Sequence, residues 1–183
     1  MTSAVIDKIF FFINKFGDKY YGEDVTQLAH VLQCGHLARL DGGDDSLIAA
    51  ALLHDIGQFL NDAGDAAKHK GIDARHEVSG AAYLAAHFGP AVTEPIRLHV
   101  AAKRYLCAAE PGYADSLSRA SVLSLRLQGG PMNKEEMAEF EANPMFEVSI
   151  RLRRYDDEGK RADWRVPDLE SYRPLLERLI LES

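Results

Sequence analysis

Cysteine is scarce, with only Cys34 and Cys107 in 183 residues. Two thiols in a chain of this length exclude a disulfide-stapled scaffold and suit a reducing cytosol. Positive charge is in deficit, with 21 Lys and Arg against 28 Asp and Glu and a net charge of −7. A nucleic-acid binder needs a basic footprint to displace phosphate counterions, so this balance argues against DNA, RNA and anionic membrane as partners. A small anionic substrate remains open to it, because such a molecule responds to the local field of a cleft rather than to the surface sum. Long apolar runs are missing too. The most apolar N-terminal stretch, residues 9–13, lies between Lys8 and Lys15. It falls short of the ~7–15 residues of a signal-peptide core and the ~20 of a membrane span, and reads as the buried stripe of a first helix. Cytoplasmic localisation is the resulting expectation. Internal repeats, low-complexity tracts, Pro/Gly/Ser-rich linkers and sustained period-two alternation are also lacking, which leaves no signal for strands or a domain boundary. With 46% hydrophobic and 27% charged residues, the composition is that of a globular protein, and the length fits a single domain over residues 1–183.

The pattern that is present is helical. Over 24–40, Val25, Leu28, Ala29, Leu32, Leu37 and Leu40 recur at spacings of three and four, with Asp24 as the expected N-cap. Asp41-Gly42-Gly43-Asp44 ends that run. Ser46 is the expected cap of 47–53, which is apolar nearly all round and should be a central buried helix. Residues 61–75 are polar and read as a long surface loop, of a length more often functional than merely connecting. Further helices are expected at 76–88, 92–107, 114–127, 134–141, 145–157 and 168–181, so the fold class is all-α, a helical bundle.

Against this background the ionisable residues stand out. The apolar run 49–53 leads straight into His54-Asp55, and a buried charge without a partner costs several kcal/mol, of the order of 3–5 when a pair is broken. Two readings are open: the pair satisfies itself through one hydrogen bond, or it belongs to a larger polar cluster. His30, His76, His99 and Asp156 supply candidates for such a cluster on other helices. Imidazole and carboxylate ligands suit divalent first-row metals, and a carboxylate shared between two cations offsets their repulsion.

The order His, His-Asp, His, His, Asp resembles the HD-domain superfamily. Several further blocks are similar to its small group of di-iron oxygenases acting on hydroxyphosphonates, with the inositol oxygenases as distant cousins. They are Tyr20-Tyr21-Gly22-Glu23 with Gln27-Leu28-Ala29-His30, Leu53-His54-Asp55-Ile56-Gly57, the run from His99 through Lys103 to Cys107, residues 125–132, and Leu152-Arg153-Arg154-Tyr155-Asp156-Asp157. The resemblance implies one iron on His30, His54, Asp55 and Asp156, and a second on Asp55, His76 and His99. It also implies a mixed-valence Fe(II)/Fe(III) pair with O2 as co-substrate, and Tyr20 and Glu23 as a gate that shields the metals until substrate arrives. The implied reaction is oxidative cleavage of the C–P bond of a 1-hydroxy-2-(amino or trimethylammonio)ethylphosphonate, releasing phosphate and glycine or glycine betaine. A metal-dependent HD phosphohydrolase with the same ligands is the alternative.

The resemblance assigns Lys103, Arg153 and Ser121 to the phosphonate, with Ser124, one turn on, as the alternative hydroxyl. Helical spacing agrees, since Lys103 follows His99 by four residues and Arg153 precedes Asp156 by three. A solvent-reaching lysine whose stem covers apolar surface is the other reading of Lys103. The resemblance also makes Gln58 an expected substrate contact. In the amino-phosphonate members a histidine stands at its position, and Gln58 can donate a hydrogen bond but carries no charge. A quaternary ammonium substrate would call for aromatic faces, for which Phe59, Tyr105, Tyr155 and Trp164 are available. His36, His69 and His87 match no ligand position and are expected at the surface or in packing.

Overall fold

The computed structural model describes residues 2–20, 23–60 and 73–181. They form α1 (Thr2–Phe16), α2 (Gln27–Leu40), α3 (Asp45–Leu53), α4 (Ile56–Leu60), α5 (His76–Leu84), α6 (Pro90–Ala109), α7 (Tyr113–Ser116), α8 (Arg119–Leu127), α9 (Lys134–Glu141), α10 (Phe146–Glu158) and α11 (Arg173–Leu179). A 3₁₀ turn, Leu169–Tyr172, leads into α11. Among the described residues the only strand-type pairing is one bridge between Phe88 and Ile180, so the chain is all-α. None of the described helices is long and apolar enough to cross a membrane. Of the expected loop over 61–75, only 73–75 are described; the rest, with His69, lies outside the described residues.

α3 occupies the centre. Every side chain from Leu47 to Leu53 is buried, as its apolar circumference requires, and α2, α6, α10 and α11 pack around it. The residues 9–13 do form a buried stripe, with Ile9, Phe10 and Ile13 in the core. α9 instead closes a smaller apolar cluster in which Phe140 meets Leu98 and Ala102 of α6.

Helix starts differ from expectation in two places. Thr26, not Asp24, caps α2, its hydroxyl accepting from the Ala29 N–H at 3.2 Å. Asp44, not Ser46, caps α3 and accepts from Leu47 N–H at 2.8 Å. Both are strong capping types, and the choice falls on the residue whose backbone is extended immediately before the helical turn. The expected helix over 114–127 is two, because Leu117 is extended and Ser118 starts a new cap on Ser121 N–H. The segment 168–181 likewise begins as a 3₁₀ turn and becomes α-helical only at Arg173.

The crossing of α4 over α5 is unusually close. A Cβ on Gly57 would run into the His76 carbonyl and the Ser79 hydroxyl, and one on Gly80 would stand 2.9 Å from Gly57 N. Both glycines are therefore there for backbone approach, and the approach sets how far His76 stands from Asp55. Gly57→Ala should force the helices apart. The expected cost is about 1–3 kcal/mol of stability in denaturant unfolding, as for other overpacked contacts, together with lower metal content at the His76 and His99 end.

Candidate metal centre

Four helices and one inter-helix turn converge on a single point. His30 comes from the first turns of α2, and His54 and Asp55 from the turn between α3 and α4. His76 is the first residue of α5, His99 sits mid-α6 and Asp156 lies near the end of α10. Five of the six are buried and His76 is largely so. The six residues expected from sequence are thus brought together.

Their geometry is that of ligands around cations. His30 Nε2 stands 3.3 Å from His54 Nε2, and His76 Nε2 stands 3.1 Å from His99 Nε2. Asp156 Oδ1 lies 3.4 Å from His30 Nε2 and 3.9 Å from His54 Nε2. The carboxylate of Asp55 is divided. Its Oδ2 faces His30 Nε2 at 3.8 Å, while Oδ1 faces His76 Nε2 at 3.3 Å and His54 Nε2 at 3.7 Å. Two donors each about 2.1 Å from one metal ion and at right angles are about 3.0 Å apart, which is close to the spacing of each histidine pair.

The other ring nitrogens fix the tautomers. His30 Nδ1 faces the Gly159 carbonyl at 2.8 Å, His54 Nδ1 that of Ala51 at 2.9 Å, and His99 Nδ1 that of Ile96 at 2.7 Å. A carbonyl only accepts, so each Nδ1 carries its proton and each Nε2 is the nitrogen turned inward. Two ring nitrogens this close need a proton or a metal ion between them. In each pair one imidazole titrates above its ordinary range and the other below. Burial pulls His30 down, but Cys34 and Asp156 raise it well above normal. Burial lowers His54, and burial with the neighbouring His76 and His54 holds His99 well below normal. Burial opposes ionisation of Asp55 and Asp156. The imidazoles around Asp55, and Arg153 with His30 beside Asp156, nevertheless keep both carboxylates ionised well below the usual range. Imidazole nitrogens and ionised carboxylates in a nitrogen and oxygen set fit first-row divalent metals.

Cys34 also lies within reach of His30 and His54, but it is not arranged as a ligand. Its thiol donates to the Tyr155 carbonyl at 3.3 Å, and burial raises its pKa against the pull of His30. His36 packs on Trp164 and His87 on Tyr83, both away from the centre, as expected.

A cavity opens beside the ligands, lined among the described residues by Glu23, Gln58, Lys103, Ser121, Ser124 and Arg153. Lys103 donates to Ser124 Oγ at 2.8 Å, and Ser121 Oγ accepts from Lys160 at 3.3 Å, so both candidate hydroxyls face this space. Burial, then the adjacent Arg153, pulls Lys103 down to about 7. Arg153 lines the cavity and also donates to Asp156 Oδ2 at 2.6 Å, to Tyr113 Oη at 3.0 Å and to both oxygens of Asp157, so it holds Asp156 from the cavity wall. Tyr20 stands outside the lining with its ring exposed, and its carbonyl accepts from Glu23 N–H at 2.8 Å.

None of the aromatic residues considered for a cage lines the cavity. Phe59 is in the core, Tyr105 packs on Phe140 and Phe146, Tyr155 donates to Asp41, and Trp164 stacks with Arg161. Lys160, Gln27 and Gln128 are among the polar lining residues that the sequence reading did not assign to the site. Lys160 follows Asp156 by four residues, a spacing that would have found it. The two glutamines carry no such signal, yet each presents a buried amide oxygen with no protein partner.

Residues 28–137 match the HD domain family model. The chain is 47% identical over 179 residues to hydroxymethylphosphonate dioxygenase of Gimesia maris, covering 97% of this chain and 89% of the relative. It is 45% identical over 163 residues to [1-hydroxy-2-(trimethylamino)ethyl]phosphonate dioxygenase (glycine-betaine-forming) of Leisingera caerulea, covering 89% and 83%. With the His and Asp residues converging inside the matched segment and Asp156 completing the set from α10, the chain belongs to the HD domain family.

Proposed function

We propose that this protein is an iron- and O2-dependent oxygenase that cleaves the C–P bond of a 1-hydroxyphosphonate. The observation that carries the reading is one cavity that joins five of the six expected metal donors, His30, Asp55, His76, His99 and Asp156, to a wall of cations and hydroxyls, in a chain about half identical to phosphonate dioxygenases. The substrate candidates are hydroxymethylphosphonate and its 2-amino and 2-trimethylammonio homologues. The first has no substituent to accommodate beyond C1.

Two irons in the Fe(II)/Fe(III) state, on His30, His54, Asp55 and Asp156 and on Asp55, His76 and His99, would supply the electron chemistry that O2 requires. The chain's own residues do the rest. Lys103, Ser121 and Ser124 bind phosphonate oxygens and fix C1 beside the metals, which converts an encounter into a positioned reaction. Arg153 keeps Asp156 ionised and in place. The Nδ1 protons of His30, His54 and His99 are tied to carbonyls, so protons exchanged with the substrate come from Lys103, Lys160 or the hydroxyls. Glu23 is the gate carboxylate facing the cavity, with Tyr20 on the same arm before α2. Gln58 donates to a substrate oxygen. Atoms balance with one O2 per turnover: hydroxymethylphosphonate and O2 yield formate and phosphate with no external reductant.

The test is phosphate release from hydroxymethylphosphonate by iron-loaded enzyme, with O2 uptake followed in parallel. One O2 consumed per phosphate, and no release under argon, is the expected result. Undiminished anaerobic release would overturn the oxygenase in favour of metal-dependent hydrolysis. Electron paramagnetic resonance before and after substrate addition tests the mixed-valence pair.

A further inference from the structure

Among the described residues three cations share the cavity wall, and they are not equivalent. Arg153 is matched by two carboxylates and a phenol. Lys103 is held by the neutral Ser124 hydroxyl. Lys160 lies just beyond the end of α10 at Glu158, and its ammonium donates to Glu23 Oε1 at 2.9 Å and Ser121 Oγ at 3.3 Å, 4.0 Å from Asp156 Oδ1. The same Glu23 oxygen accepts from Ser118 Oγ at 2.8 Å. Glu23 belongs to the segment before α2, far from Lys160 in sequence. An ammonium that faces the cavity is therefore neutralised by a carboxylate from a different part of the chain, with Ser118 able to keep that carboxylate hydrogen-bonded if the ammonium leaves it.

We propose that Lys160 is a second phosphonate-binding cation and that Glu23 is its exchangeable counter-ion. The inference rests on the hydroxyphosphonate reading. An arriving phosphonate dianion would sit with Lys103 on one side, Lys160 on the other, and the Ser121 and Ser124 hydroxyls between. Lys160 exchanges a carboxylate oxygen for a phosphonate oxygen, and no covalent bond forms or breaks. A dianion bridging two ammonium groups, one buried and one partly buried, outcompetes a single carboxylate on one of them. Glu23 is then free of Lys160 only when substrate is bound, so the position of the gate carboxylate and occupancy of the anion site are linked reciprocally.

The linkage predicts effects of opposite sign. Methylphosphonate, which lacks the reacting hydroxyl, is titrated anaerobically into the iron-loaded enzyme by calorimetry. Lys160→Met should weaken its binding by about tenfold or more and Lys160→Arg should recover part of the loss. Glu23→Gln, which removes the competing charge, should tighten binding by about threefold or more, an effect that misfolding does not produce. In the double variant the tightening should vanish, because there is no ammonium left to release. Binding by Lys160→Met within about twofold of wild type, or equal tightening by Glu23→Gln in both backgrounds, overturns the inference alone. Failure of wild type to bind methylphosphonate at all, with no O2-dependent phosphate release from hydroxymethylphosphonate, removes the functional reading with it.

Discussion

Asp55→Ala should abolish iron retention at both positions and lower phosphate release by at least about a thousandfold, since the loss exceeds the 10–100-fold typical of residues that only support a ligand. The two carboxylate oxygens address different imidazoles, Oδ2 towards His30 and Oδ1 towards His76 and His54. In the proposed assignment every other donor belongs to one half of the centre. Without Asp55 each half loses a ligand, and two cations brought close together lose the negative charge between them. Asp55→Asn sharpens the point, because it preserves shape and removes only the charge, and its iron content should fall as well. Iron per chain by elemental analysis is the readout, with His36→Ala and His87→Ala as controls. Those imidazoles pack on Trp164 and Tyr83 and should leave iron content unchanged. An Asp55→Ala protein holding as much iron as wild type would remove Asp55 from its bridging role.

What was legible in the sequence was whatever conflicted with its own surroundings. His54-Asp55 at the end of an apolar helix, and His99 between Leu98 and Val100, are polar groups in runs that must be buried, and such groups need partners. Their partners were implied by the resemblance to the HD-domain pattern, which picks His30, His76 and Asp156 from 7 His and 28 Asp and Glu. Where several residues could meet one need, the choice was made by backbone geometry, as at Thr26 over Asp24 and Asp44 over Ser46. The break at Leu117-Ser118 has a tertiary component, since Ser118 both caps α8 and donates to Glu23. Arg153 was placed on the correct helical face, but spacing alone does not rank a substrate anion against the carboxylates three and four residues ahead of it. Lys160 was obscured by Gly159, which marks the end of α10 even though a lysine just past that end still reaches back to Asp156. Gln27 and Gln128 are ordinary helical residues whose unpartnered oxygens exist only once the cavity does.

Lys103→Met should lower kcat/KM by about a thousandfold, raising KM and reducing kcat together, because the same contact binds the phosphonate and fixes C1. The informative variant is Lys103→Arg, compared with wild type across pH. Lys103 is buried, and burial with the adjacent Arg153 brings its pKa to about 7. A depressed lysine pKa means the ammonium is present below that value and lost above it. The dianionic substrate needs the ammonium, so wild-type kcat/KM, which reports the free enzyme, should fall as pH rises through about 7. In the bound complex the phosphonate charge favours the ammonium, so the corresponding limb in kcat should lie at higher pH. A guanidinium stays charged throughout, and Lys103→Arg should lose the falling limb even though its poorer fit lowers the absolute rate. Ionisation of the substrate itself is common to both enzymes and cancels in their ratio. A wild-type to Lys103→Arg ratio of kcat/KM that stays flat from about pH 6 to about pH 9 would show that the ammonium of Lys103 does not govern capture of the anion.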